Sequence, residues 1–125
     1  MAQTILIIED ELPLLRILTQ KFEKEGFNIL QAKDGIEGLA MAKSHHPDLL
    51  LLDLILPGLP GMSVLHELRQ DAWGKATPII ILTNLSDSQK VAEALQQDVG
   101  DYLVKSDWML QDLVKKVHEK LGMKT

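Results

Sequence analysis

Residues 49–53 read Leu-Leu-Leu-Leu-Asp. An apolar run of strand length with no polar alternation suits a strand buried on both faces, and such strands belong to parallel sheets covered by helices on each side. Four more runs of similar length occur: TILII at 4–8, FNILQA at 27–32, PIIILT at 78–83 and DYLVK at 101–105. Counting Asp48, the central run spans 48–53.

Between the runs the period changes from strand-like to helical. Leu15, Leu18 and Phe22 recur at helical spacing, with Pro13 in the first turn and Gly26 as the expected stop. Ile36, Leu39 and Lys43 mark a weaker helix that closes at His46-Pro47. Val64, Leu65 and Leu68 mark a third helix, and Val91 with Leu95 a fourth. Leu110, Leu113, Val114, Val117 and Leu121 form a clear apolar stripe on the last. Five strand–helix pairs predict one α/β domain with a doubly wound, five-stranded parallel sheet.

Bulk properties narrow the function. With 125 residues, 46% hydrophobic and only 4% aromatic, the chain can fill one aliphatic core. A net charge of -5 disfavours direct nucleic-acid binding, which uses a basic face. There is no cysteine, hence no disulfide or thiolate chemistry. The start, MAQTILIIEDE, lacks a signal-peptide pattern, and no apolar run approaches the ~20 residues that span a bilayer. A soluble, cytoplasmic protein with no membrane association is expected.

In an open parallel sheet, ligands bind at the carboxyl ends of the strands. The first strand ends in Glu9-Asp10-Glu11, the third at Asp53, the fourth at Thr83 and the fifth at Lys105. Parallel strands gather these groups on one edge. Glu9, Asp10 and Asp53 would crowd like charges together, more than one lysine can balance. A divalent cation can balance them, and a few oxygen ligands with room for water and phosphate suit Mg²⁺. Asp53 could then be a carboxylate nucleophile that forms an acyl phosphate, with Lys105 and the Thr83 hydroxyl on other phosphoryl oxygens.

These residues resemble the receiver domain of two-component response regulators, of the single-domain chemotaxis type. The resemblance runs from Ile5 to Leu121. It rests on Glu9-Asp10, on Asp53 with Leu56-Pro57-Gly58 and Gly61, on Leu82-Thr83, and on Tyr102-Leu103-Val104-Lys105. It implies a flavodoxin-like (βα)5 fold with strand order 2-1-3-4-5. Residues 1–125 would form one receiver domain without an output domain. Asp53 would be the phosphoacceptor, supplied by a phosphohistidine on a sensor histidine kinase or histidine phosphotransfer protein. Glu9, Asp10, Asp53 and the backbone carbonyl of Ile55 would hold Mg²⁺. Thr83 would be the switch hydroxyl, Lys105 the phosphate-pairing lysine and Tyr102 the aromatic that repacks. A downstream protein would read the face formed by the fourth helix, fifth strand and fifth helix, and a dimer is compatible with that.

The sequence departs from the family pattern at Pro60, Asn84, Asp98 and Ser106. Ser106 stands where proline, often preceded by a cis bond, is usual. Ile55 and Leu85, each two places beyond a site residue, are apolar where the family's hydrolytic water passes, so slow autodephosphorylation is expected.

Simpler readings compete. Asp53 alone could be a strand-end residue, and Glu11 a solvated residue before a helix. His45 and His46 lack a third ligand at zinc spacing. His66 and His118 are expected on solvent-facing helix surfaces. Trp108 could be a contact residue or a buried one. The alternative function is an inert pseudo-receiver, a binding module of the same fold not controlled by phosphorylation. A haloacid-dehalogenase-type phosphatase would need an aspartate where Ile55 stands, and no glycine-rich nucleotide loop follows the first strand.

Overall fold

The computed structural model describes residues 2–83, 101–104 and 110–123. Five strands form one sheet: β1 (Thr4–Ile8), β2 (Asn28–Ala32), β3 (Leu49–Asp53), β4 (Ile79–Thr83) and β5 (Asp101–Val104). All neighbouring pairs are parallel, in the order β2-β1-β3-β4-β5. The helices are α1 (Leu12–Lys24), α2 (Gly35–His45), α3 (Gly61–Gln70) and a C-terminal helix (Leu110–Lys120). The α/β class and strand order expected from the sequence are the ones observed. The predicted fourth helix, with Val91 and Leu95, lies outside the described residues.

Strand geometry divides the core into two layers, because successive side chains point to opposite faces. Leu6, Ile8, Leu50, Leu52, Ile79 and Ile81 pack with Ala42 of α2 and Val64, Leu65 and Leu68 of α3. Ile5, Ile7, Leu49, Leu51, Ile80 and Leu82 pack with Leu15, Leu18 and Phe22 of α1 and with Leu113 and Val117 of the C-terminal helix. The leucines of β3 therefore serve both layers, and every residue of that strand is buried. β2 differs: as the sheet's edge it is mostly exposed or half-buried, ending in buried Ala32. Asn28 and Gln31 are the polar residues that mark it as an edge.

Helix ends follow local rules. Pro13 lies in the first turn of α1, and Gly26 follows its last turn at φ +96°. Asp34 caps α2, its side chain accepting from the Glu37 amide at 2.7 Å. His46 ends α2 with φ 48° and stacks on Trp73, ring centroids 4.6 Å apart. His45 is engaged separately, with Nδ1 2.9 Å from Ser44 Oγ.

The α2 helix marked by Ile36, Leu39 and Lys43 is observed, and one helix-face expectation, for His118, is corrected. Ile36 is 65% exposed, and the buried face of α2 runs through Gly35, Gly38 and Ala42. The reason is close approach: a Cβ on Gly38 would stand 2.6 Å from Ile8 Cδ1. Small residues, not large apolar ones, let α2 lie against β1. His118 is not solvent-facing. It is half-buried, with Nε2 3.7 Å from Glu25 and its ring beside Phe27. His66 is exposed as expected.

The α2 packing has a direct check by urea denaturation. Gly38→Val should cost about 1–3 kcal/mol through overpacking against Ile8. Ile36→Ala should change stability by less than about 0.5 kcal/mol. The opposite ranking would place Ile36, and not Gly38, at the contact with the sheet.

Candidate functional site

Register brings the acidic groups together. Ile8 pairs with Leu52 across β1 and β3, so the next residues, Glu9 and Asp53, meet at the carboxyl edge. The Glu9 amide extends the ladder by donating to the Ala32 carbonyl at 3.0 Å. Asp10 follows directly, ahead of α1. Carboxylate oxygens of Glu9, Asp10 and Asp53 all lie within 4.8 Å of one another. Glu9 and Asp53 are 1% and 4% exposed, whereas Asp10 faces solvent. Among the described residues this is the group of three that could hold a metal ion. Glu11 is outside it.

The loop after β3 holds Asp53 in place. The Ile55 amide donates to Asp53 Oδ1 at 3.0 Å, which fixes the rotation of the carboxylate. The Ile55 side chain is 54% exposed. The Gly61 amide closes the loop onto the Leu54 carbonyl at 3.0 Å. A Cβ on Gly61 would fall 2.2 Å from the Asp53 carbonyl oxygen, so this corner admits no side chain. Pro60, the departure from the family pattern, is the N-cap of α3 at φ -58°. Gly58, at φ +75°, makes the turn in between.

The cluster fits a hard divalent cation. Its donors are oxygens only, two are fixed by burial, and exposed Asp10 leaves a solvent side where water can complete the shell. That pattern suits Mg²⁺, which keeps several waters and takes few carboxylates.

Thr83 ends β4 opposite Val104, and Tyr102 lies in β5 opposite Ile81. Their strands thus place both backbones where the sequence predicts. Lys105, Asn84, Leu85, Asp98, the Lys105–Ser106 peptide and Trp108 lie outside the described residues. Asp34-Gly35, given no site role from the sequence, turns out to abut the loop after β3: the Gly35 amide donates to the Pro57 carbonyl at 3.3 Å. A capping aspartate followed by glycine signals a helix start, but nothing local in it announces that neighbour.

Comparison with known proteins agrees with this fold. The response regulator receiver domain family matches residues 5–118. The chain belongs to that family. Response regulator ArlR of Staphylococcus aureus is 41% identical over 101 residues, 81% of this chain and 45% of that protein. A probable transcriptional regulator, ycf27, of Porphyridium aerugineum is 40% identical over 82% of this chain and 42% of its own length. The match thus spans less than half the length of these curated relatives. Among solved structures, the receiver domain of a Pseudomonas aeruginosa sensor histidine kinase superposes with TM-score 0.88 at 28% identity, covering 98% of this chain and 99% of that one. That structure has a magnesium ion coordinated in its active site cleft. No helix among the described residues is long and apolar enough to cross a membrane.

The acidic cluster predicts metal-dependent stability. Mg²⁺ at about ten times its dissociation constant should add about 1.4 kcal/mol to the folded state, seen as a raised melting temperature. A potassium control of equal ionic strength should not reproduce the rise, and Asp10→Asn should remove most of it. An equal rise in the mutant would place the binding elsewhere.

Proposed function

We propose that this receiver domain is a phosphorylation-driven switch with Asp53 as phosphoacceptor. The observation that carries the reading is the convergence of Glu9, Asp10 and Asp53 within 4.8 Å at the carboxyl edge of the sheet. Asp53 is held by the Ile55 amide so that its carboxylate faces the same crevice as the other two. Glu9, Asp10, Asp53 and the Ile55 backbone carbonyl would hold Mg²⁺. When bound, the ion supplies charge neutralisation between these carboxylates and the incoming phosphoryl oxygens. The magnesium in the Pseudomonas aeruginosa relative supports that assignment.

The donor is a phosphohistidine on a sensor histidine kinase or a histidine phosphotransfer protein. An Asp53 carboxylate oxygen attacks phosphorus, and a P–O bond forms as the P–N bond breaks. The imidazole leaves with the electron pair and takes up a proton. The chain positions groups for transfer and is not a conventional enzyme. Self-phosphorylation from small phosphodonors uses the same arrangement. The aspartyl phosphate carries about two negative charges. Thr83 and Lys105 are assigned to its oxygens, and Tyr102 to the repacking that follows. The equilibrium shifts only as far as these contacts favour the active form.

A downstream partner protein reads the change through the face that the sequence assigns to a fourth helix, together with the fifth strand and the C-terminal helix. A Borrelia burgdorferi complex of CheX with beryllofluoride-bearing, magnesium-bearing CheY, 28% identical to this chain with TM-score 0.84, supports protein recognition as the output. In this reading residues 1–125 act as one receiver unit in the cytoplasm, without direct nucleic-acid contact.

Incubation with acetyl phosphate and Mg²⁺ should add one phosphoryl group, mapped to Asp53 by peptide mass spectrometry. Asp53→Asn should take up none while keeping its circular dichroism spectrum. Modification elsewhere, or none in the wild type, would favour the phosphorylation-independent module. The exposed apolar side chain of Ile55 cannot orient a hydrolytic water, so the aspartyl phosphate should decay slowly. Ile55→Gln should shorten its lifetime. Wild-type decay within seconds, or a longer-lived Gln variant, would contradict this.

A further inference from the structure

The loop from Leu54 to Pro60 carries the Ile55 amide that holds Asp53, and its exit is pinned at Gly61. Its middle is pinned by a different element. The first turn of α2 touches three consecutive loop residues. The Gly35 amide donates to the Pro57 carbonyl at 3.3 Å. A Cβ on Gly35 would stand 1.8 Å from the Leu59 carbonyl oxygen and 2.7 Å from its carbonyl carbon. Ile36 Cδ1 lies 3.3 Å from where a Cβ on Gly58 would be. The clash at Gly35 is with backbone, which cannot swing aside as a flexible side chain can.

The helix turn that makes these contacts is itself rigid. Asp34 Oδ1 accepts from the Glu37 amide at 2.7 Å, and the Asp34 carbonyl accepts from Gly38 at 3.0 Å. Gly38 in turn is pressed against Ile8, one residue before Glu9. The same helix therefore meets the strand that delivers the acidic pair and the loop that orients the acceptor.

We propose that Gly35 is a positioning residue for phosphoryl transfer: the first turn of α2 sets the path of the loop after β3 and, through the Ile55 amide, the orientation of the Asp53 carboxylate. This rests on the reading of Asp53 as phosphoacceptor. Any side chain at position 35 must push residues 57–59 outward. The displacement passes along the loop to Ile55, two residues before Pro57. Misplacing an attacking group by about an ångström lowers the rate of a positioned reaction by about 10- to 100-fold.

The test compares Gly35→Ala with Gly26→Ala. Gly26 has φ +96° and open space around its Cβ direction, so alanine there strains the backbone after α1 without touching the site. Both variants are measured under conditions where denaturation curves show them folded. The probe is acetyl phosphate with Mg²⁺, and the readouts are the rate of Asp53 phosphorylation and the backbone amide resonance of Ile55. Gly35→Ala should phosphorylate about 10-fold or more slowly, with a displaced Ile55 amide. Gly26→Ala should keep the wild-type rate and resonance despite lower stability. A folded Gly35→Ala with the wild-type rate would overturn the proposal, as would an equal slowing in both variants. Should Gly35→Ala fail to fold, Asp34→Ala replaces it, loosening the same turn without adding an atom. A lowered rate with a moved Ile55 amide then supports the role, and unchanged values overturn it. Failure of the wild type to take up phosphate is a separate result that overturns the phosphoacceptor reading and this role with it.

Discussion

Carboxylates held within 4.8 Å of one another at the end of an aliphatic sheet are the constraint on which the rest of the molecule turns. At an effective dielectric constant of about 20, two carboxylates both ionised at that spacing would repel by about 3.5 kcal/mol. Glu9 and Asp53 are almost fully buried, so water screens them poorly. The fold therefore brings acidic side chains together where a compact protein would ordinarily keep them apart. In the proposed reading, a cation, and then a cation together with a phosphoryl group, gives that arrangement a chemical purpose.

The scaffold explains how such a site stays in place. β3 is buried along its whole length, and its leucines anchor both core layers. Asp53 cannot move without moving the centre of the sheet. The loop that follows is short and pinned at several points, by the Asp53–Ile55 contact, by Gly61 and by the start of α2. Rigid placement matters because phosphoryl transfer depends on position and charge more than on reactive side chains.

Much of this was legible in the residues. Unbroken apolar runs identified the strands, and parallel pairing then forced Glu9, Asp10 and Asp53 onto one edge. Strand geometry also carries the backbones of Thr83 and Tyr102 to the places assigned to them. The packing of α2 was less legible. Ile36 helps to mark the helix in the sequence, but helix–sheet distance decides burial, and that distance is set by Gly38. The contact of Gly35 with residues 57–59 joins segments some twenty residues apart, which periodicity cannot register. His118 was misplaced because its neighbours, Glu25 and Phe27, come from the far end of the chain.

In the proposed reading Glu9, Asp10 and Asp53 hold one ion between them. Crystals grown with Mn²⁺ in place of Mg²⁺ test it most directly, through the anomalous signal of manganese. One peak is expected at the carboxyl edge of the sheet, in contact with oxygens of Asp10 and Asp53. A strong peak elsewhere, with the space between those two carboxylates empty at saturating metal, would contradict it.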